Sequence, residues 1–92
     1  MATNPPAPPP APGLDARSPR ALAAQYSKAD YRGVVRVCSA TAIKPEISRV
    51  CLLAACRQRD AAQAKRWLSG NEPALRDSLV DKCHELGGIN IR

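Results

Sequence analysis

The chain is poor in several residue types. Its 92 residues include no Phe, two Tyr, one Trp, one His, one Met and five Gly, with eight acidic residues against fourteen basic ones. A sandwich or barrel core draws on β-branched and aromatic faces, so this shortage favours packed helices instead. No run approaches the roughly 20 apolar residues that cross a bilayer. The N-terminus has neither the charged region nor the apolar region of a secretory signal. With one His, no Ser-His-Asp set can be assembled without His84, and the glycines gather at helix ends rather than in a phosphate loop. These absences point to a soluble, non-enzymatic chain with no cofactor. A cytoplasmic location is expected, or a periplasmic or other oxidising one if the cysteines pair.

The residues that are present divide the chain in two. Residues 4–13 read NPPAPPPAPG, with six prolines in ten positions. Proline fixes φ and removes backbone donors, so residues 1–17 are expected to be a disordered Pro-rich linker in polyproline II, about 30 Å long. Its PxxP spacings would suit an aromatic-lined groove, but a spacer is the simpler reading. The remainder, 18–92, has the length of one small helical domain.

Five helix starts are legible there. Ser18-Pro19 pairs a capping side chain with a proline suited to the first helical position, and Leu22 and Tyr26 follow on one face. Asp30 opens a second helix, with Tyr31, Val34, Val35 and Cys38 inward. Pro45 opens a third, with Ile47, Val50, Cys51 and Ala54 inward. Asp60 caps a short fourth that carries Ala61, Ala64, Trp67 and Leu68. Asn71-Glu72-Pro73 opens a fifth, on which Leu75, Leu79, Cys83 and Leu86 are expected to face the core. Gly87-Gly88 should end it, with Ile89 and Ile91 folding back. The fold class is all-α.

The turns repeat. Placing Asp30 over Asp60 aligns Ala24-Gln25-Tyr26-Ser27-Lys28-Ala29-Asp30-Tyr31 with Ala54-Ala55-Cys56-Arg57-Gln58-Arg59-Asp60-Ala61, and brings Val34 onto Ala64 and Cys38 onto Leu68. Such a period signals stacked helix–turn–helix units, none able to bury its own face. Ala29-Asp30-Tyr31 with Val34, Arg59-Asp60-Ala61 with Ala64, and the prolines at 45 and 73 resemble the tetratricopeptide repeat. The period is 30 rather than 34, and Leu52 stands where a small residue is usual. Tyr26, Asp30-Tyr31, Ala54-Ala55-Cys56, Asp60, Ala64, Cys83 and Gly88-Ile89 are also similar to a small C-terminal domain that follows low-complexity linkers in myxobacterial proteins, serine/threonine kinases among them. The resemblance implies two antiparallel helical hairpins stacked as a tetratricopeptide-like array, a C-terminal capping helix, and a regulatory or scaffolding role.

In a tetratricopeptide-like stack the first helix of each hairpin lines a concave groove. That places Arg49, Leu53 and Arg57 along one face of the third helix, with Ala23 and Tyr26 as counterparts on the first. Two guanidinium groups flanking a Leu suit an acidic or carboxylate-ended peptide or another protein as partner. An ordinary solvated basic face is the plainer alternative. Arg32, Arg36, Lys65 and Arg66 are expected on the convex side, where they keep the domain soluble.

The cysteines 38, 51, 56 and 83 admit three readings. The default is buried thiols acting as small hydrophobes. An even count, and hairpin stacking that brings the second helix near the third and the third near the fifth, allow Cys38–Cys51 and Cys56–Cys83 disulfides. A metal site is disfavoured, because Cys51 and Cys56 leave one helix on different faces and Cys83-His84 are adjacent.

A competing function is nucleic-acid binding, since a small helical domain of pI 9.6 can be a helix-turn-helix. Against it, Arg and Lys are spread over every helix and interleaved with Asp30, Asp60, Asp77 and Asp81. The short turns also favour antiparallel hairpins over a near-perpendicular crossing. A structural dimerisation piece with open repeat ends is the third possibility.

Overall fold

The computed structural model describes residues 16–92. The expected linker, 1–17, lies outside the described residues except for its last two positions. The domain is all-helical: α1 Pro19–Ser27, α2 Tyr31–Ser39, α3 Pro45–Arg57, α4 Ala61–Leu68 and α5 Pro73–Gly87.

Each start has a local cause. The Ser18 hydroxyl accepts from the Ala21 N–H at 3.1 Å. Asp30 Oδ1 accepts from Gly33 N and Asp60 Oδ1 from Gln63 N, both at 3.1 Å. Each bond satisfies a donor that the first helical turn leaves open. α3 and α5 lack a capping side chain and begin instead on Pro45 and Pro73. Gly88 closes α5 in the left-handed region, at φ 71°.

The α1–α2 and α3–α4 turns are copies of one another. Ala29 N–H bonds to Tyr26 C=O and Asp30 N–H to Gln25 C=O; thirty residues on, Arg59 N–H bonds to Cys56 C=O and Asp60 N–H to Ala55 C=O. This double bond is the Schellman closure, which calls for a left-handed residue after the helix. Glycine is the usual occupant, yet here Ala29 (φ 62°) and Arg59 (φ 59°) fill the position. Around the first turn, Asp30 Oδ2 also accepts from Gln25 Nε2 at 2.8 Å. A Cβ on Gly33 would meet both of those side chains, so a larger residue there would push the Gln25 and Asp30 ends out of this arrangement. The Gln25 bond, then the Gly33 N–H, hold the Asp30 carboxyl below its ordinary pKa. Its stabilising effect is therefore complete above the unfolded value near pH 4 and fades only as pH falls further.

α3 is the centre of the molecule, and α1, α2, α4 and α5 all pack against it. Its buried positions are Ile47, Ser48, Cys51, Leu52, Ala54, Ala55 and Cys56. The small residues in that set let neighbouring backbones come close. At the far end, a Cβ on Gly87 would strike the Cys56 carbonyl, so α5 can lie against α3 only with glycine at that point. The core is completed by Leu22, Val34, Cys38, Ala64, Trp67, Leu79, Val80, Cys83 and Ile91. Trp67 is the largest fully buried side chain. Its Nε1 has no hydrogen-bond partner among the described residues, and nothing around it explains the orphaned donor.

Two expectations fail. Leu75 does not face the core; it is 44% exposed, because α5 packs on the body through Leu79, Val80 and Cys83, and its first turn runs past the end of that contact. Arg66 does not simply solvate a convex face. Its guanidinium donates to the carbonyls of Cys38 (3.1 Å) and Thr41 (2.5 Å) and lies 4.9 Å over the Trp67 ring. It thereby closes the C-terminus of α2 with a cation from α4, where the helix dipole favours positive charge.

Two measurements check this architecture. Urea unfolding should show Leu79→Ala losing about 2–5 kcal/mol and Leu75→Ala less than about 0.5 kcal/mol; equal losses would mean α5 is seated differently. Ala29→Gly and Arg59→Gly should each raise stability by about 0.5–1 kcal/mol, since glycine occupies φ near 60° without strain.

Candidate functional site

The residues singled out for partner binding lie on α1 and α3, two helices that pack side by side. Arg49 and Arg57 are exposed and Leu53 between them is half-buried; on α1, Ala23 is exposed and Tyr26 half-buried. The four-residue spacing from 49 to 53 to 57 places these three on the side of α3 opposite the Cys51 and Ala55 face.

Tyr26 and Arg57 meet directly. Arg57 Nε donates to the Tyr26 hydroxyl at 2.6 Å, and its Cζ stands 5.5 Å from the Tyr26 ring centroid and 4.8 Å from that of Tyr31. The two rings touch edge to face, with centroids 4.9 Å apart. The guanidinium is thus fixed at one atom and stacked on two aromatic surfaces. Its Nη groups make no hydrogen bond among the described residues. The bond it donates to the Tyr26 hydroxyl raises the pKa of Arg57, so its charge persists at every working pH. Among the described residues, no hydrogen bond or ring contact joins Arg49, Leu53 or Ala23 to this cluster.

Tyr31, expected to face the core, packs against it and also joins this cluster, which its sequence position does not announce. It opens α2 directly after the Asp30 cap, and only the antiparallel return of α3 past that turn brings Arg57 across it. No spacing rule in the sequence reports such a contact.

The four cysteines form two disulfides, so the default reading of free buried thiols gives way. Cys38 joins Cys51 with Cα atoms 5.8 Å apart, tying α2 to α3, and Cys56 joins Cys83 at 5.0 Å, tying α3 to α5. Among the described residues no three His, Cys, Asp or Glu side chains come together as a metal ligand set. His84 is exposed and makes no side-chain hydrogen bond among them. No described helix is long and apolar enough to cross a membrane. No protein-family model, no curated protein and no solved structure matches the chain.

The disulfides close loops of 13 and 27 residues. The chain-entropy model gives such loops about 3 and about 3.5 kcal/mol, a large part of what a domain of this size possesses. Thermal unfolding followed by circular dichroism should show a strong reductant lowering Tm by at least about 20 °C. An unchanged Tm would mean the sulfurs are not joined in solution.

Proposed function

We propose that the domain is a non-catalytic interaction module, a tetratricopeptide-like pair of hairpins with α5 as a cap. It takes an acidic peptide, or an acidic segment of a partner protein, along the face made by Ala23, Tyr26, Arg49, Leu53 and Arg57. The observation that carries this reading is the state of Arg57. It is held at Nε and stacked on Tyr26 and Tyr31, so it is ordered before any partner arrives while its terminal nitrogens stay open to a carboxylate. A side chain already ordered loses less rotamer freedom on binding. Leu53, half-buried between Arg49 and Arg57, supplies an apolar contact next to two charges.

The role is regulatory or scaffolding, and the compartment is an oxidising one such as the periplasm. The two disulfides support that location in place of a reducing cytoplasm. The net charge of +6 aids encounter with acidic partners.

The test compares wild type with Arg49→Glu/Arg57→Glu in pull-downs from the native organism's periplasmic and cytoplasmic extracts, each with and without nuclease. Both substituted residues are exposed, so the variant should retain the helical signal and lose its partner by at least about tenfold in affinity, the equivalent of about 1.4 kcal/mol. Binding that survives the double substitution moves the site elsewhere. Binding that disappears with nuclease assigns the basic charge to nucleic acid.

A further inference from the structure

A second basic face lies on α2. Arg32 and Arg36 stand one helical turn apart and, with Val35, form one wall of an open depression of about 280 Å³; Gln58 and Asp60 of the α3–α4 turn form the other. Several other arginines are occupied within the fold: Arg57 on Tyr26, Arg66 on Cys38 and Thr41, Arg76 on Asn71 and Ser69. Arg32 and Arg36 donate no hydrogen bond to any described residue.

Their placement also works against stability. Like charges four residues apart on a helix repel, and a cation in the first turn, where Arg32 sits, opposes the helix dipole. The Asp30 carboxylate at the N-cap attracts both and offsets part of this. Both guanidinium groups are nonetheless exposed and held by no hydrogen bond within the described residues.

We propose that this depression binds the phosphoryl group of a phosphorylated peptide. Arg32 and Arg36 are its charged donors, the Gln58 amide is a neutral donor, and Val35 packs against the carbon stem of the modified side chain. Two guanidinium forks and an amide supply more N–H groups than the two oxygens of a carboxylate can use. A phosphate monoester brings three oxygens and close to two negative charges. The space exceeds a phosphate group alone, which leaves room for the stem.

Asp60 is the opposing charge on the rim. Its Oδ1 is engaged by the Gln63 N–H at 3.1 Å, and its presence disfavours peptides with a second acidic group on that side. A membrane surface suits the site less well. Among the described residues the two large exposed apolar side chains, Ile43 and Leu75, lie in the α2–α3 loop and the first turn of α5, so no described apolar anchor accompanies the charge. The site is separate from the α1–α3 face and does not rest on the reading given for it.

The experiment is an ¹⁵N NMR titration of the oxidised chain at constant ionic strength. The probes are inorganic phosphate, a phosphoserine peptide with neutral flanks, and its unphosphorylated twin. Saturable shifts are expected at the Arg32 and Arg36 Nε–H, the Val35 amide and the Gln58 side-chain amide with the phosphopeptide, weaker ones with phosphate, and none with the twin. Arg32→Gln/Arg36→Gln should weaken phosphopeptide binding by at least about tenfold, with the helical signal retained because both residues are exposed. Lys65→Gln, which removes an exposed cation of α4 outside both faces, should leave binding unchanged. Failure to saturate with the phosphopeptide, shifts spread evenly over Arg20, Arg49 and Arg59, or equal binding of the twin would each overturn the site. Attachment to anionic vesicles without phosphopeptide saturation would assign these charges to a lipid surface and overturn it equally.

Discussion

The close approach of α3 to four neighbours governs the rest of the domain. Seven of its thirteen residues are buried, and Ser48, Cys51, Ala54, Ala55 and Cys56 among them are small. Short side chains on several sides of one helix let backbones pack at short range, and short range is what brings Cys51 within bonding distance of Cys38 and Cys56 within that of Cys83. The scarcity of aromatics follows from the same constraint. A helix enclosed this tightly leaves room for one large ring, and Trp67 takes it.

The two basic faces proposed as binding surfaces are by-products of that packing. α3 has only one side left for solvent, and Arg49, Leu53 and Arg57 stand on it. The antiparallel return of the chain sets Arg57 against the tyrosines of the first turn, while the matching turn at Gln58 and Asp60 faces α2. Both basic surfaces therefore lie beside the repeated turns, where backbone geometry is fixed by paired hydrogen bonds rather than by side-chain packing. Rigid turns are a suitable mounting for groups that must hold position before a ligand arrives.

Element starts were legible because each is a chemical signal local to the sequence. Ser18, Asp30 and Asp60 cap with their own side chains, and Pro45 and Pro73 occupy first-turn positions that cannot use a backbone donor. Periodicity found the buried residues of α2 and α4 and, on α3, Ile47, Cys51 and Ala54; it missed Ser48, Leu52, Ala55 and Cys56 because a helix enclosed on several sides buries more than one stripe. It failed at Leu75 because an apolar residue in the right phase still needs a neighbour, and α5 begins beyond its neighbour's end. It could not report the contacts of Arg66 and Tyr31: their partners, the Cys38 and Thr41 carbonyls and the Arg57 guanidinium, are more than twenty residues away, and no residue pattern encodes that distance. The cysteines were ambiguous in sequence because a buried thiol and a half-cystine have the same apolar surroundings; only the separation of the paired Cα atoms tells them apart.

The order of the two disulfides has a mechanical consequence. The Cys38–Cys51 loop closes before the Cys56–Cys83 loop opens, so they lie in series along the chain with a short piece of α3 between them. A pull applied at both ends would pass from residue 38 straight to 51, and from 56 straight to 83. Residues 39–50 and 57–82 would bear none of the load. While oxidised, the domain behaves as a tether of limited reach: force can straighten α1, the part of α2 before Cys38 and the end of α5 after Cys83, but it cannot pay out the α2–α3 loop or α4. A module joined through a proline-rich segment to other machinery would in this way keep its extension short under tension, and would lengthen only where the surroundings reduce it.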